Sequence, residues 1–149
     1  MSAAPTLSTA TRRESKRFFR FLVVGTIGFV VDFGSFNILY RLLSVQPVLA
    51  QTISFCLAVT SNFTWNRLWT YPESRSKPIA KQFTQFFAMN LLGLGINLIV
   101  FKIVDSLLVP VVDLKLALAG AQVAAVTAAM FWNFGANRLV TYSDVKFGK

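Results

Sequence analysis

The chain has 149 residues, of which 54% are hydrophobic and only 14% are charged. A soluble domain carries about 25% charged residues, so this composition predicts a protein embedded in a membrane. The net charge of +9 would suit nucleic acid, but no soluble segment is left to hold a recognition element, and nucleic-acid binding is not expected. One cysteine and no histidine exclude a disulfide framework and a cysteine zinc site, and we predict neither an enzyme nor a bound metal or cofactor.

The elements follow in chain order. Residues 1–17 are rich in Ser, Thr and Ala, end in a basic cluster, and are expected to form a disordered tail. Four mostly apolar segments then reach the length of about 20 residues that a membrane helix needs. They cover approximately residues 18–43, 48–69, 83–108 and 115–139, and a short tail follows at 143–149. The sequence therefore predicts an all-α, polytopic membrane protein with one transmembrane domain, 18–142, of four transmembrane helices.

The basic residues predict the orientation of these helices. Twelve of the fifteen Lys and Arg residues fall on the side that holds the N-terminal tail, the central loop and the C-terminal tail. The other three, Arg41, Lys102 and Lys115, fall on the opposite side. Because positive loops stay in the cytoplasm, both termini are predicted to be cytoplasmic.

The even-numbered helices end in a repeated motif. Residues 62–71 and 133–142 are identical at seven of ten positions, and both begin Asn-Phe-x-x-Asn-Arg. The first and third helices share a weaker pattern at spacing i, i+3, i+7, namely Gly25, Gly28 and Asp32 in one and Asn90, Gly93 and Asn97 in the other. These similarities predict two hairpins in parallel orientation, an arrangement found in transporters.

Several polar side chains fall inside the predicted helices. Asp32 is the costliest, since a charged group at the bilayer centre costs about 2.5 to 3.5 kcal/mol on insertion scales. In one interpretation the amides are hydrogen-bonding groups between helices, worth about 0.6 kcal/mol each. In the other they form a site, because amides suit sugar hydroxyls and a guanidinium suits phosphate. The candidate site residues are Asp32, Asn62, Asn66, Arg67, Asn97, Asn133, Asn137 and Arg138.

These motifs resemble the GtrA-like family of small prokaryotic membrane proteins. The similarity lies in the Arg17-Phe18-x-x-Phe21 segment that leads to Gly25, in Val31-Asp32, and in both Asn-Phe-x-x-Asn-Arg copies. The resemblance implies translocation of a polyprenyl-phosphate-linked sugar across the cytoplasmic membrane of a prokaryote, for cell-surface polysaccharide or glycan modification. It also implies a membrane glycosyltransferase as partner, and so thin a bundle would suit a homo-oligomer.

Three hypotheses follow for the function. The first is a flippase for a lipid-phosphate sugar, with Asp32 and the amides lining its path. The second is a non-transporting anchor or partner of a glycosyltransferase, in which the amides only pack. The third is a small proton-coupled exporter, which the strong asymmetry of basic residues disfavours.

Overall fold

Four α-helices build the part of the chain that the computed structural model describes, residues 7–145. They are α1 (Leu7–Asn37), α2 (Pro47–Trp65), α3 (Ile79–Leu108) and α4 (Leu114–Ala136). A short 3-10 helix, Pro72–Ser76, lies in the connection between α2 and α3. No residue within 7–145 forms a strand, which confirms the predicted all-α class.

Three of the helices end in a five-residue π-helical turn. These turns are Ile38–Leu42 after α1, Asn66–Thr70 after α2 and Asn137–Thr141 after α4. With the turns included, the helices end close to the predicted positions 43, 69 and 139. Single π-helical turns are rare and frequently occur at functional sites.

The sequence predicts a disordered tail over 1–17, and in the structure residues 7–17 belong to α1. Helix-favouring Arg, Lys and Glu residues dominate the stretch from 12 to 17 and favour a helix there without any apolar pattern. Arg17 also fixes this end of α1, because its guanidinium pairs with Glu14 at 2.6 Å and with Glu73 of the next connection at 3.5 Å. Residues 1–6 and 146–149 lie outside the described residues.

Three stretches are long and apolar enough to cross a membrane. They are Thr11–Leu42, Ile79–Leu108 and Leu114–Thr141. The remaining helix, α2, has 19 residues and is less apolar, because Gln51, Thr52, Thr60 and Asn62 interrupt its hydrophobic residues. At 1.5 Å per residue α2 is about 28 Å long, close to the thickness of the hydrocarbon core.

Most of the large apolar side chains of the described helices are exposed, and many of the buried residues are small or polar. Phe29, Phe33 and Val123 are each more than 60% exposed, whereas Ser54 and Ala121 are fully buried. A soluble protein buries its large apolar residues, so this distribution is that of a protein whose surroundings are lipid.

The chain forms two compact units, each containing an antiparallel helical hairpin. Unit 1 comprises α1, α2, the connection through residue 81 and residues 144–145, and unit 2 is Gln82–Ser143. In unit 1, Gly28 of α1 lies against Asn62 of α2, and Arg20 donates to the Trp69 carbonyl at 3.0 Å. In unit 2, Gly93 of α3 lies against Asn133 of α4. These contacts fix the register of each hairpin.

The N-terminus of α4 offers a test of the fold. The Asp113 carboxylate caps this helix by accepting from the backbone N–H groups of Lys115 at 3.0 Å and Leu116 at 3.2 Å. We expect Asp113→Ala to lower the free energy of unfolding by about 1 kcal/mol, and Asp113→Asn to lower it much less, since asparagine also caps. Circular dichroism during denaturation in detergent measures both variants. Equal losses for alanine and asparagine would contradict a capping role.

Candidate functional site

A glycine facing an asparagine recurs in both units. A Cβ atom added at Gly28 would collide with the side-chain amide of Asn62, and one added at Gly93 would collide with that of Asn133. The glycines therefore provide the space that the two amides occupy. Within residues 7–145, neither Asn62 Oδ1 nor Asn133 Oδ1 has a hydrogen-bond partner, although both atoms are buried.

Each π-helical turn begins at the second asparagine of its motif. Asn66 Nδ2 donates to the Asn62 carbonyl at 2.9 Å, and Asn137 Nδ2 donates to the Asn133 carbonyl at 2.8 Å. Each turn closes when a tyrosine N–H, from Tyr71 or Tyr142, donates at 2.8 Å to the carbonyl of that asparagine five residues earlier. The sequence repeat is therefore also a repeat of local structure.

One threonine interaction distinguishes the two units. In unit 2, Thr141 Oγ1 donates to Asn137 Oδ1 at 2.7 Å. In unit 1, Thr70 and Asn66 occupy the equivalent positions, but among the described residues neither Thr70 Oγ1 nor Asn66 Oδ1 has a hydrogen-bond partner. Both residues are 1% exposed. Unit 1 thus holds two buried polar oxygens whose counterparts in unit 2 bond to each other.

These oxygens belong to a longer series in unit 1, which we call the polar row: Asp32 Oδ1, Asn62 Oδ1, Asn66 Oδ1 and Thr70 Oγ1. All four are buried and lack a partner within the described residues. Asn62, Asn66 and Thr70 are four residues apart on α2 and its π-helical turn, and Asp32 lies one turn beyond Gly28 on α1. At 1.5 Å per residue the row covers about 18 Å, more than half of the hydrocarbon thickness.

A buried polar atom without a partner destabilises a protein by about 1 to 3 kcal/mol. Four such atoms in one hairpin therefore need an explanation beyond packing. Hydroxyl groups of a bound molecule would donate to these oxygens, which makes the polar row a candidate path or site for a polyhydroxylated ligand.

The two motif arginines bond to backbone carbonyls. Arg67 donates to the carbonyls of Arg75 at 3.0 Å and Lys77 at 3.1 Å, which holds the connection after α2 against its helix. Arg138 is 4% exposed and donates to the Tyr142 carbonyl at 3.0 Å. These contacts give both guanidinium groups a structural task at the helix ends.

A cluster of other cations in unit 1 lies outside the predicted site residues, because a basic helix end already satisfies the positive-inside rule. The cluster surrounds a cavity of about 370 Å³ lined by Arg13, Lys16, Arg17, Arg20, Thr70 and Glu73. Thr70 therefore joins this cavity to the end of the polar row. Arg13 lines this cavity because α1 begins at Leu7, eleven residues before the helix start predicted from the apolar pattern.

The structure divides the predicted site residues evenly between the units. Asp32, Asn62, Asn66 and Arg67 lie in unit 1, and Asn97, Asn133, Asn137 and Arg138 lie in unit 2. The binding role of all eight stays a prediction. Within residues 7–145, no three His, Cys, Asp or Glu side chains are grouped to hold a metal ion.

Two helical hairpins with outward apolar faces, long apolar helices and a repeated asparagine–arginine motif define a small membrane protein built from a duplicated unit. The family model of the GtrA/DPMS transmembrane domain matches residues 20–142, and the chain belongs to this family. This match confirms the resemblance inferred from the motifs.

Two relatives extend the comparison. An uncharacterized membrane protein, YngA, of Bacillus subtilis (strain 168) is 28% identical over 133 residues, which are 89% of this chain and 84% of that protein. Dolichol-phosphate mannosyltransferase of Pyrococcus furiosus is 31% identical over 90 residues. That match covers 60% of this chain but only 25% of the archaeal protein. The chain is therefore similar to a part of that archaeal mannosyltransferase.

Proposed function

We propose that this protein moves a polyprenyl-phosphate-linked sugar across the cytoplasmic membrane for cell-surface polysaccharide or glycan modification, without itself catalysing a covalent reaction. The polar row carries the proposal. Its oxygens accept hydrogen bonds from sugar hydroxyls and so replace part of the water that the head group loses in the bilayer. The lipid tail stays among the exposed apolar side chains throughout.

The proposed orientation has both termini in the cytoplasm and all four helices across the membrane. The asymmetry of Lys and Arg supports the direction. The antiparallel packing of α2 along α1 supports a crossing by α2, since Gly28 of α1 lies against Asn62 of α2 and Arg20 of α1 contacts Trp69 in the π-helical turn that follows α2. Thr70 and the basic cavity then lie at the cytoplasmic end of the row.

The kinship with dolichol-phosphate mannosyltransferase supports the ligand class, because that enzyme's name joins a polyprenyl-type lipid phosphate to a sugar. The same kinship favours a second candidate function. The matching segment is a quarter of the archaeal protein, so a membrane domain of this family occurs as part of a glycosyltransferase. Our chain would then anchor or orient a separate glycosyltransferase, and the polar row would carry no ligand.

A reconstitution experiment distinguishes the two functions. Purified protein is incorporated into liposomes with a fluorescent polyprenyl-phosphate sugar, and a membrane-impermeant quencher reports how fast the label changes leaflet. We expect the wild type to accelerate the movement over empty liposomes. No acceleration by correctly folded protein would contradict transport and favour the anchor.

The variant Asp32→Asn, measured in the same flipping assay, tests whether transport needs the charge of Asp32. The change keeps the shape of the side chain and removes the capacity for negative charge at depth. We expect flipping to slow about tenfold or more, since a charged group is retained within a membrane helix chiefly for function. Asp113→Asn serves as the control, because it makes the same substitution in a loop and leaves the cap in place. An unchanged rate in Asp32→Asn would show that the charge of Asp32 is not needed for transport.

A further inference from the structure

The basic cavity of unit 1 has the charge of a phosphate site. Four cationic side chains line it, together with the single carboxylate of Glu73. A second carboxylate, Glu14, pairs with Arg17 at 2.6 Å. Two positive charges therefore remain in excess, enough to neutralise either a phosphate monoester, which carries about −1.5 to −2 near pH 7, or the singly charged phosphodiester that links a sugar to a lipid.

Neighbouring groups hold two cations of the basic cavity, Arg17 and Arg20, in fixed positions. Arg17 is only 5% exposed, bridges Glu14 and Glu73, and lies over the Tyr71 ring at 5.7 Å. Arg20 donates to the Trp69 carbonyl at 3.0 Å and lies 5.5 Å from the centre of the Trp69 ring. These contacts reduce the conformational entropy that a bound phosphate would have to remove.

An apolar cavity adjoins the basic one. It has a volume of about 450 Å³ and shares Lys16 and Arg20 with its neighbour. Phe19 and Trp69 line it, and both side chains are exposed. A ligand that occupied both cavities would carry a phosphate directly attached to a hydrocarbon chain.

We infer that these two cavities bind the phosphate end of a polyprenyl phosphate, with the phosphate among Arg13, Lys16, Arg17 and Arg20 and the first isoprene units against Phe19 and Trp69. The choice of lipid rests on the proposed function, whereas the phosphate chemistry rests on the cavities themselves. Thr70 lines the basic cavity and ends the polar row, so a sugar attached to this phosphate would lie beside the row.

A binding experiment on the full-length protein in detergent tests the assignment. Tritiated farnesyl phosphate is the probe, and its displacement is followed with unlabelled farnesyl phosphate, farnesol, inorganic phosphate and phosphatidylglycerol. We expect each of the last three to compete at least tenfold more weakly than farnesyl phosphate. Equal competition by inorganic phosphate or farnesol would overturn the two-part site. Equal competition by phosphatidylglycerol would overturn the choice of lipid in favour of any anionic head group.

Two single substitutions separate a defined site from diffuse attraction. Lys16→Gln removes an exposed cation of both cavities, and Lys81→Gln removes an exposed cation that lines neither. We expect affinity for farnesyl phosphate to fall about tenfold in the first variant and to stay within twofold in the second. Arg13→Gln, in the basic cavity alone, is expected to behave like Lys16→Gln. Equal losses in Lys16→Gln and Lys81→Gln would overturn the inference.

The flipping assay is independent of these outcomes. Specific binding to a protein that moves no sugar lipid would uphold the cavity assignment and contradict the proposed transport. A protein that flips the sugar lipid at the wild-type rate with Lys16→Gln, and shows no specific binding, would contradict the cavity assignment and uphold transport.

Discussion

Replacing Gly28 with alanine is expected to destabilise the first hairpin by about 1 to 3 kcal/mol, the usual consequence of forcing one more carbon into a filled space. The added Cβ would collide with the Asn62 amide, which lies directly against the glycine. Alanine normally stabilises a helix relative to glycine by about 0.5 to 1 kcal/mol, so the collision has to outweigh that gain. Unfolding in detergent, followed by circular dichroism, gives the difference.

Gly25 supplies the matched control, because an added Cβ there would meet no atom within 4 Å. Gly25→Ala lies one turn away on the same helix and is expected to be neutral or slightly stabilising. A second variant identifies the cause. Because Asn62→Ala removes the amide, Gly28→Ala should cost much less in its presence, which a double-mutant cycle measures as a coupling energy. Equal stability of Gly28→Ala and Gly25→Ala would contradict the close contact.

The same substitution in the second hairpin tests the repeat. Gly93 faces Asn133 as Gly28 faces Asn62, so Gly93→Ala should destabilise by a similar amount and respond to Asn133→Ala in the same way. The sequence alone predicted that Gly28 and Gly93 correspond, from their shared spacing with Asp32 and Asn97. It could not predict that each glycine accommodates an asparagine, because partner identity depends on the register of two helices.

The helices were predictable because membrane segments must be long and apolar and because the repeated motif marks two of their ends. The ends at 42, 70 and 141 therefore fall within two residues of the prediction. The start of α1 was not predictable by this reasoning, since residues 7–17 are polar and no hydrophobic pattern marks them. Their helix depends instead on local propensity and on the contacts of Arg17 with Glu14 and Glu73.

The sequence predicted the candidate site by residue type, and the binding roles of its residues stay predictions. Buried amides follow from asparagine within an apolar segment, and the structure places Asn62 and Asn66 in the polar row. The arginines illustrate the limit of sequence reasoning. A guanidinium beside an amide pair suggests phosphate binding, yet Arg67 and Arg138 donate to backbone carbonyls. The cations around the cavity are not among the predicted site residues, because a helix end rich in Arg satisfies the positive-inside rule whether or not it binds a ligand.

Thr70 and Thr141 occupy equivalent positions of the repeat, and the same substitution should have opposite consequences at the two. Thr141→Val removes the donor to Asn137 Oδ1 and leaves that buried oxygen without a partner within the hairpin. We expect it to lower the free energy of unfolding by about 1 to 3 kcal/mol. Thr70→Val removes a hydroxyl oxygen that already lacks a partner among the described residues, so stability should be unchanged or slightly higher.

If the sugar head group moves along the polar row, Thr70→Val should slow transport more than Thr141→Val does, the reverse of their effects on stability. Thr70→Val replaces the Oγ1 that ends the polar row with a methyl group, and we expect flipping of a polyprenyl-phosphate sugar to slow about tenfold, the equivalent of 1.4 kcal/mol. Thr141→Val should keep most of the rate per folded molecule. Each variant is measured twice, by unfolding in detergent and by flipping in liposomes, and the two threonines control for each other.

A Thr70→Val protein that is both less stable and slower would indicate a structural hydroxyl and contradict its role in the path. Rates that fall equally in both variants would show that the two units contribute alike, and the asymmetry of their hydrogen bonds would then have no functional meaning. Retained stability with a lost rate at Thr70 alone would support a division of tasks within the duplicated fold. In that division, the hydrogen bond from Thr141 to Asn137 stabilises the hairpin of unit 2. In unit 1, the equivalent oxygens of Thr70 and Asn66 stay available to accept hydrogen bonds from a ligand.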